Sequence, residues 1–447
     1  MAILPVIGTQ QDIRPASRGN RRGSLPYRLE DPVTPRVAVG PTGWQTTRLA
    51  LVLFRFVLMP RRAVTIIRHL GGQVETGVRL VVRFTNRNPI RSRYMAVAND
   101  VDVRPVKKTI VSDGAIERDR LRKMLLIRRF EERTFQEYTK PGQKIGGFCH
   151  LYSGQEAVAV GIAAIFRKGI DALINGYRCH GHSLALGMNP RNAFAELYGK
   201  STGCARGKGG SMHFFDASVG NHGGHGIVGG HIPVGLGMAF AQRYRKSGGV
   251  TFCLFGDGAV NQGTFHESLN LASLLKAPVL FIVENNGVAM GTQVERASAE
   301  PDLAKRGSGY AMPHRHVDGN DLDTVIREFG AAAERARNGD GPSYLVANTY
   351  RFRGHSMSDP MKYRKDASGK WLPEVEEARK RDPITLYTAR LMENGLIDEE
   401  QLQAMNDEVA QIIDSAARMA DADPHPGLET RFEDILSEQY PYLPQQQ

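Results

Sequence analysis

The sequence predicts an α/β protein built on a doubly wound parallel sheet and followed by a helical C-terminal extension. Residues 250–255 and 279–283 are short, nearly continuous apolar runs, as expected of strands buried on both faces of a sheet. Residues 262–276 between them have helical spacing, and a third apolar run covers 344–347. This strand–helix–strand order is a βαβ unit with parallel strands. Polar helices over about 376–420 form the extension.

Two more helices are predicted before the first of these strands. Residues 115–139 carry apolar side chains near helical spacing, with Asp113 as a candidate N-cap and Pro141 as the stop signal. Residues 154–167 are rich in Ala and Val and also favour a helix. The glycine-laden stretch over about 203–237 follows, and we expect little regular structure there.

The chain divides into four predicted segments. They are an Arg-rich leader over 1–94, a linker over 95–114, the main α/β domain over 115–375 and the C-terminal helical extension over 376–447. The length of 447 residues is sufficient for a large core.

The leader carries the basic character of the whole chain. Residues 1–94 hold sixteen Arg, no Lys and four acidic residues, whereas residues 95–447 have a net charge of −1. A nucleic-acid-binding or membrane-binding protein is therefore disfavoured as the main role. The leader is expected to be disordered or an extension upstream of a true start at Met95; a mitochondrial transit peptide is the alternative. We accordingly expect a cytoplasmic location, or the mitochondrial matrix if the leader is such a peptide.

The four cysteines show neither CxxC pairs nor metal-ligand spacing. Cys149, Cys179, Cys204 and Cys253 are expected to be free thiols in a reducing compartment.

Polar motifs stand where two predicted strands end. Gly256-Asp257-Gly258 follows the first buried strand, and Asn285-Asn286 follows the second. Because parallel strands end at the same edge of a sheet, both motifs can reach one ligand. Carboxylate and amide oxygens suit Mg²⁺, and backbone amides after Asp257 suit phosphate oxygens. The pair of motifs resembles the thiamine-diphosphate motif, so the predicted sheet is of the thiamine-diphosphate-binding type.

The flanking stretches narrow this resemblance. Over about residues 110–435 the chain is similar to alpha subunits of the 2-oxo acid dehydrogenases, specifically those acting on pyruvate. The stretches that carry the similarity are HLYSGQE (150–156), YRCHGHS (177–183), GKGGSMH (207–213), GIVGGHIPVG (226–235), GDGAVNQG (256–263) and RGHSMSDPMKYR (353–364).

The resemblance implies a metal and cofactor site. Asp257 and Asn286 match magnesium ligands, with the backbone carbonyl of Val288 as the third; the family often has Tyr at this last position, and this chain departs from it. The positions matching thiamine diphosphate contacts are Tyr177, Arg178, Gly226, Val228, Asp257, Gly258, Ala259, Asn286 and His355. Within that set Tyr177 and Arg178 match diphosphate contacts, and the backbone at Gly226 and Val228 matches contacts to the aminopyrimidine ring.

Histidines and one serine complete the candidate residues. His150 and His355 match catalytic positions of the family, near the substrate and on the active-site loop. His231 stands where relatives often have Gln, and His266 is expected to serve packing. Ser356 matches a regulatory phosphorylation serine, but PMKYR is one residue shorter than the mitochondrial loop and lacks a second serine, which favours a plain polar role.

By the same resemblance, the activity is oxidative decarboxylation of pyruvate with transfer of the acetyl group to lipoyl groups of a dihydrolipoyl acetyltransferase. Acetoin and branched-chain 2-oxo acids are the alternative substrates. The family's cofactor-activating glutamate lies in a second domain, for which this chain has no room after residue 350. The resemblance therefore implies a beta subunit, in an α2β2 heterotetramer, as partner.

Overall fold

A computed structural model describes residues 64–66, 78–80 and 114–433. The chain forms two compact units, Met1–Thr109 and Ile110–Gln447. In the first unit, strands β1 (Val64–Ile66) and β2 (Val78–Leu80) pair antiparallel. The predictions made for the leader and linker otherwise lie outside the described residues.

The second unit contains most of the described elements. Its helices are α1 (Ala115–Thr139), α2 (Glu156–Ile165), α3 (His180–Leu186), α4 (Pro190–Leu197), α5 (Ile232–Arg245), α6 (Gly263–Leu274), α7 (Val294–Ala297), α8 (Leu322–Arg337), α9 (Pro373–Lys380), α10 (Pro383–Glu393) and α11 (Glu399–Ala422). Its strands are β3 (Ala172–Gly176), β4 (Asn221–His225), β5 (Thr251–Gly256), β6 (Val279–Asn285), β7 (Val288–Ala289), β8 (Thr292–Gln293), β9 (His314–Asp318) and β10 (Ser343–Asn348). None of the helices in the described ranges is long and apolar enough to cross a membrane.

Six of these strands form one sheet in the order β4-β3-β5-β6-β10-β9. Every neighbouring pair is parallel. The prediction of an α/β fold with a doubly wound parallel sheet is confirmed. The strands predicted from apolar runs are β5, β6 and β10, which occupy the centre of the sheet.

The apolar runs are continuous because both faces of the central strands are covered. Along β5, Phe252 and Leu254 pack into the core on one face, and Cys253 and Phe255 pack into the core on the other. Such strands have no solvated face that would call for alternating polar residues. Burial on both faces therefore agrees with the position of these strands inside the sheet. Strands β5 and β6 lead directly into the two motifs.

The C-terminal helices pack on the same unit. Val409 and Ile413 of α11 are buried in a core shared with Leu121 and Phe130 of α1. Asp398 begins α11 with a reciprocal capping box, which satisfies two backbone donors at the helix start. The N-cap of α1 is Gly114, one residue after the predicted Asp113, which lies outside the described residues.

The expectation of little regular structure over 203–237 is wrong for its second half. Strand β4 pairs with β3 at the edge of the sheet, and α5 begins at Ile232. The preceding turns wrap around Glu196, whose buried carboxylate accepts four backbone N–H groups, from Ala205, Gly207, Gly209 and Gly210. Contacts with residues outside this stretch therefore give it regular structure that its glycine-rich composition does not predict.

Candidate active site

The predicted site residues lie around one cavity of about 530 Å³. It opens at the carboxyl ends of β3, β5 and β6. Its lining contains all eleven positions named from the sequence as catalytic, cofactor-binding or metal-binding: His150, Tyr177, Arg178, Gly226, Val228, Asp257, Gly258, Ala259, Asn286, Val288 and His355. The structure thus brings the complete predicted set together.

Strand register explains the meeting of the two motifs. Gly256 at the end of β5 lies opposite Glu284 near the end of β6. Asp257 then starts a short 3₁₀ helix, Asp257–Asn261, and Asn286 follows the last residue of β6. Both side chains therefore leave the sheet at the same edge, as expected of parallel neighbours.

The residues present fit a magnesium ion. Asp257 is a buried carboxylate, and its pKa is raised by that burial, which a bound cation would counteract. The amide oxygen of Asn286 and the carbonyl of Val288 belong to residues that line the same cavity, and with Asp257 they offer the hard oxygen atoms that Mg²⁺ prefers. Space beside this set requires glycine: a Cβ at Gly258 would lie 2.9 Å from Cβ of Ala289.

Arg351, which the sequence reasoning missed, contacts two of these groups. Its buried guanidinium donates through Nη1 to Oδ1 of Asn286 at 2.9 Å and to the carbonyl of Val288 at 3.2 Å. Nη2 donates to the hydroxyl of Tyr363 at 2.9 Å. Its position soon after β10, which ends at the same sheet edge, is a signal that could have indicated it.

Arg178 holds a second buried positive charge at the cavity. Nη1 donates to the carbonyl of Leu151 at 2.6 Å, and Nη2 donates to the carbonyl of His355 at 2.8 Å. Burial, with Arg351 nearby, lowers the pKa of Arg178 to about 10, so it stays charged at neutral pH. Two guanidinium groups facing one cavity favour an anionic ligand with several oxygens.

Three rings of the cavity lining lie close together. The ring of His150 lies 4.4 Å from the ring of Tyr177 and 5.2 Å from that of His355, centroid to centroid. Burial, and then the charge of Arg178, lower the pKa of His150 to about 2 and that of His355 to about 4. Both imidazoles are therefore neutral near pH 7. Nδ1 of each is buried without a hydrogen-bond partner in the described part of the chain.

Two further polar residues of the lining were also missed. Gln155 is fully buried, and Glu284 is almost so. Glu284 accepts from the hydroxyl of Tyr152 and lies 3.1 Å from Nε2 of His182. Gln155 belongs to the stretch HLYSGQE, which carries part of the family resemblance, and Glu284 directly precedes the Asn285-Asn286 motif, but neither side chain was given a role.

The remaining candidates are placed differently from one another. His231 lines the cavity and is buried, with Nε2 2.7 Å from the carbonyl of Leu254. His266 lies outside the lining on the exposed face of α6, with Nδ1 2.6 Å from the hydroxyl of Tyr310. The hydroxyl of Ser356 lies 2.9 Å from that of Ser358.

Comparisons with known proteins agree with this geometry. A family model described as "Dehydrogenase E1 component" matches residues 122–429. The chain is 49% identical over 317 residues to a "Pyruvate dehydrogenase E1 component subunit alpha" of Rhizobium meliloti (strain 1021), covering 70% of this chain and 88% of the relative. A protein of the same name from Zymomonas mobilis is 44% identical over 319 residues, covering 71% and 88%. A chloroplastic alpha-3 subunit from Arabidopsis thaliana is 38% identical over 360 residues, covering 79% and 82%.

Proposed function

The chain belongs to the dehydrogenase E1 component family, and we propose that it is the alpha subunit of a pyruvate dehydrogenase E1 component. Its activity is oxidative decarboxylation of pyruvate with transfer of the acetyl group. We further propose thiamine diphosphate and Mg²⁺ as cofactors and the lipoyl groups of a dihydrolipoyl acetyltransferase as acceptors. The observation that carries the proposal is the convergence of Asp257, Asn286, Val288 and Arg178 on one cavity.

Each residue has a proposed task. Asp257, Asn286 and the Val288 carbonyl would hold Mg²⁺, and Arg178 would bind the diphosphate with its planar fork. Backbone N–H groups at Gly258 and Ala259 would donate to phosphate oxygens. Thiamine diphosphate, when bound, supplies the electron sink that decarboxylation of a 2-oxo acid requires.

The two histidines would handle the substrate side. His150 and His355 are neutral near pH 7, so each has one ring N–H to donate and one ring nitrogen to accept. Their unpartnered Nδ1 atoms leave hydrogen-bonding capacity for a substrate or for a moving proton. A pair of neutral imidazoles suits reaction steps in which an oxygen of the substrate gains and then loses charge.

We propose a beta subunit as partner because the cavity rim is apolar and exposed. Phe148, Ile227 and Met290 are 64%, 77% and 71% exposed around the opening. The outer faces of α5 and α6 add Tyr244 at 81% and Leu274 at 75%. Apolar surface of this kind marks a protein–protein interface. By the family resemblance, that partner supplies the glutamate that activates the cofactor, in an α2β2 assembly.

A reconstitution experiment tests this function. The purified chain with thiamine diphosphate, Mg²⁺ and pyruvate is expected to release no carbon dioxide above background, whereas addition of the beta subunit restores release. The readout is labelled carbon dioxide from carboxyl-labelled pyruvate. Full activity of the chain by itself would refute the requirement for a partner.

We propose pyruvate as the substrate, and not acetoin or a branched-chain 2-oxo acid. The reasons are the loop that contains His355 and the names of the relatives. We expect kcat/KM for pyruvate to be the highest of the three in steady-state assays of the αβ complex. For location we propose the cytoplasm, with the mitochondrial matrix as the alternative. Sequencing the N-terminus of the native protein distinguishes the two, since removal of a transit peptide would leave a start inside residues 1–94.

A further inference from the structure

Gln155 is a fully buried side chain that no step of the proposed chemistry uses. It stands immediately before α2 and lines the cavity. Its side chain makes no capping hydrogen bond to the helix, although it occupies the N-cap position. The amide is therefore directed toward other partners.

Those partners lie after two neighbouring strands. Oε1 of Gln155 accepts from Nδ2 of Asn286 at 3.3 Å and from the hydroxyl of Thr349 at 3.0 Å. Asn286 follows β6, and Thr349 follows β10. One amide oxygen thus ties a proposed metal ligand to the adjacent strand end.

Arg351 fixes the direction of this chain of hydrogen bonds. A guanidinium only donates, so the atom of Asn286 that faces Arg351 must be the oxygen, Oδ1. The nitrogen Nδ2 must then face Gln155, and the Gln155 atom that receives it must be the oxygen Oε1. The orientation of both amides follows from one donor-only group.

We propose that Gln155 is a positioning residue for the metal: together with Arg351, which sets the direction, it holds the Asn286 amide by accepting from Nδ2, so that Oδ1 is presented to Mg²⁺. An amide oxygen has two lone pairs, of which Arg351 takes one and the cation would take the other. The inference rests on the proposed function, because it assumes that Asn286 binds a metal there. Partners that orient a metal ligand typically change affinity about 10–100-fold when they are removed.

A second observation supports a role at the ligand site. Nε2 of Gln155 is buried without a hydrogen-bond partner among the described residues. Leaving a buried amide donor unpaired is costly, so such groups usually serve a function. The neighbouring cavity would receive an anionic diphosphate, whose oxygens are suitable acceptors for this donor.

The test is a Mn²⁺ titration followed by electron paramagnetic resonance, with thiamine diphosphate present and the chain co-purified with its beta subunit. Gln155→Met keeps the shape and removes both hydrogen-bonding atoms; we expect Mn²⁺ affinity to fall about 10–100-fold. Gln155→Glu keeps an acceptor for Asn286 but loses the Nε2 donor, so its Mn²⁺ affinity should fall less than that of Gln155→Met.

Gln242→Met is the matched control. Gln242 also accepts from a threonine hydroxyl, that of Thr251 at 2.9 Å, and donates to a backbone carbonyl, but it lies on α5 outside the cavity lining. Its substitution should leave Mn²⁺ affinity unchanged. A fall equal to that of Gln155→Met would overturn the positioning role.

Failure of the inference and failure of the proposed function have different signatures. If the wild type binds neither Mn²⁺ nor thiamine diphosphate, the proposed function fails. If the wild type binds both and folded Gln155→Met binds Mn²⁺ equally well, the positioning role is overturned. Should Gln155→Met not fold, Gln155→Ala takes its place under the same criterion, with thermal melting as the check of folding.

Discussion

Two sets of residues that line the cavity differ in how their polar side chains are paired. On the side of β6 and β10, here called the polar wall, the side chains of Gln155, Asn286 and Arg351 are joined by hydrogen bonds, and only Nε2 of Gln155 among their side-chain N and O atoms near the cavity has no partner in the described residues. In a second set, here called the histidine wall, His150 and His355 each have a buried Nδ1 with no partner in the described residues. The polar wall holds a fixed geometry, whereas the histidine wall keeps hydrogen-bonding capacity in reserve.

The difference matches what each wall is proposed to bind. A metal-bound diphosphate stays in place through every turnover, so preorganised partners can stabilise it without loss. A substrate changes its charge and bonding during the reaction, which requires groups that can donate or accept as needed. Substitutions on the polar wall should therefore impair cofactor binding, and those on the histidine wall should impair turnover or its dependence on pH.

The largest effect is expected at Asp257. Asp257→Asn removes the only carboxylate of the proposed metal set, and we expect metal affinity and decarboxylation to fall by more than about 100-fold, beyond the loss for an orienting partner. Activity of the αβ complex with titrated Mg²⁺ measures this. Asp119→Asn on α1, where Asp119 pairs with Lys123, is the matched control. Near-normal activity of Asp257→Asn would contradict the proposed role of Asp257 as a metal ligand.

A smaller effect is expected at Arg178. An ammonium cannot replace the planar fork that donates to the carbonyls of Leu151 and His355, so Arg178→Lys should weaken thiamine diphosphate binding about 10–100-fold. Cofactor titration by fluorescence quenching gives the affinity. Arg243→Lys, at the last turn of α5, is the control. Equal thiamine diphosphate affinities of Arg178→Lys and the wild type would contradict the proposed role of the planar guanidinium group.

The histidine wall should make stability depend on pH. The pKa of His355 is lowered to about 4 and that of His150 to about 2, whereas the unfolded chain takes up protons near pH 6.5. The unfolded state therefore binds more protons below pH 6.5, and stability is lost as the pH falls from there. Between pH 7 and 5, without added cofactor, Tm of His150→Asn should fall about 2–4 °C less than that of the wild type. An equal fall in Tm for His150→Asn and the wild type would contradict the lowered pKa of His150.

The smallest effect is expected at Ser356, which follows His355 in the chain. Its hydroxyl lies 2.9 Å from that of Ser358, and such a neutral bond is worth about 1 kcal/mol. Ser356→Ala should therefore change kcat/KM by no more than about fivefold. Ser358→Ala removes the other partner and should have a similar effect. A much larger loss confined to Ser356→Ala would assign that hydroxyl a direct role in the reaction.

The sequence was sufficient for three strands of the sheet and for the candidate metal ligands Asp257 and Asn286, because both depend on local patterns. Continuous apolar runs predict β5, β6 and β10 since these strands are buried on both faces, and motifs at strand ends locate Asp257 and Asn286. The edge strand β4 was missed because it is rich in glycine and held by pairing with β3.

Arg351 and Gln155 were missed for a different reason. Their partner Asn286 is 65 and 131 positions away in the sequence, respectively, so the contacts arise only when strand ends are brought together. Composition also does not indicate that Arg351, a charged residue, is buried beside the proposed ligands of the magnesium ion. Supporting residues of a site are therefore harder to predict than the ligands that they orient.

The site described above is proposed to be the metal and diphosphate half of a cofactor site that this chain shares with a beta subunit. The most direct measurement is anomalous scattering from Mn²⁺ in crystals of the αβ complex grown with thiamine diphosphate. We predict a peak bonded to oxygens of Asp257, Asn286 and Val288, with the diphosphate beside Arg178. A Mn²⁺ peak away from these three residues, or a cofactor bound within the beta subunit by itself, would contradict the account.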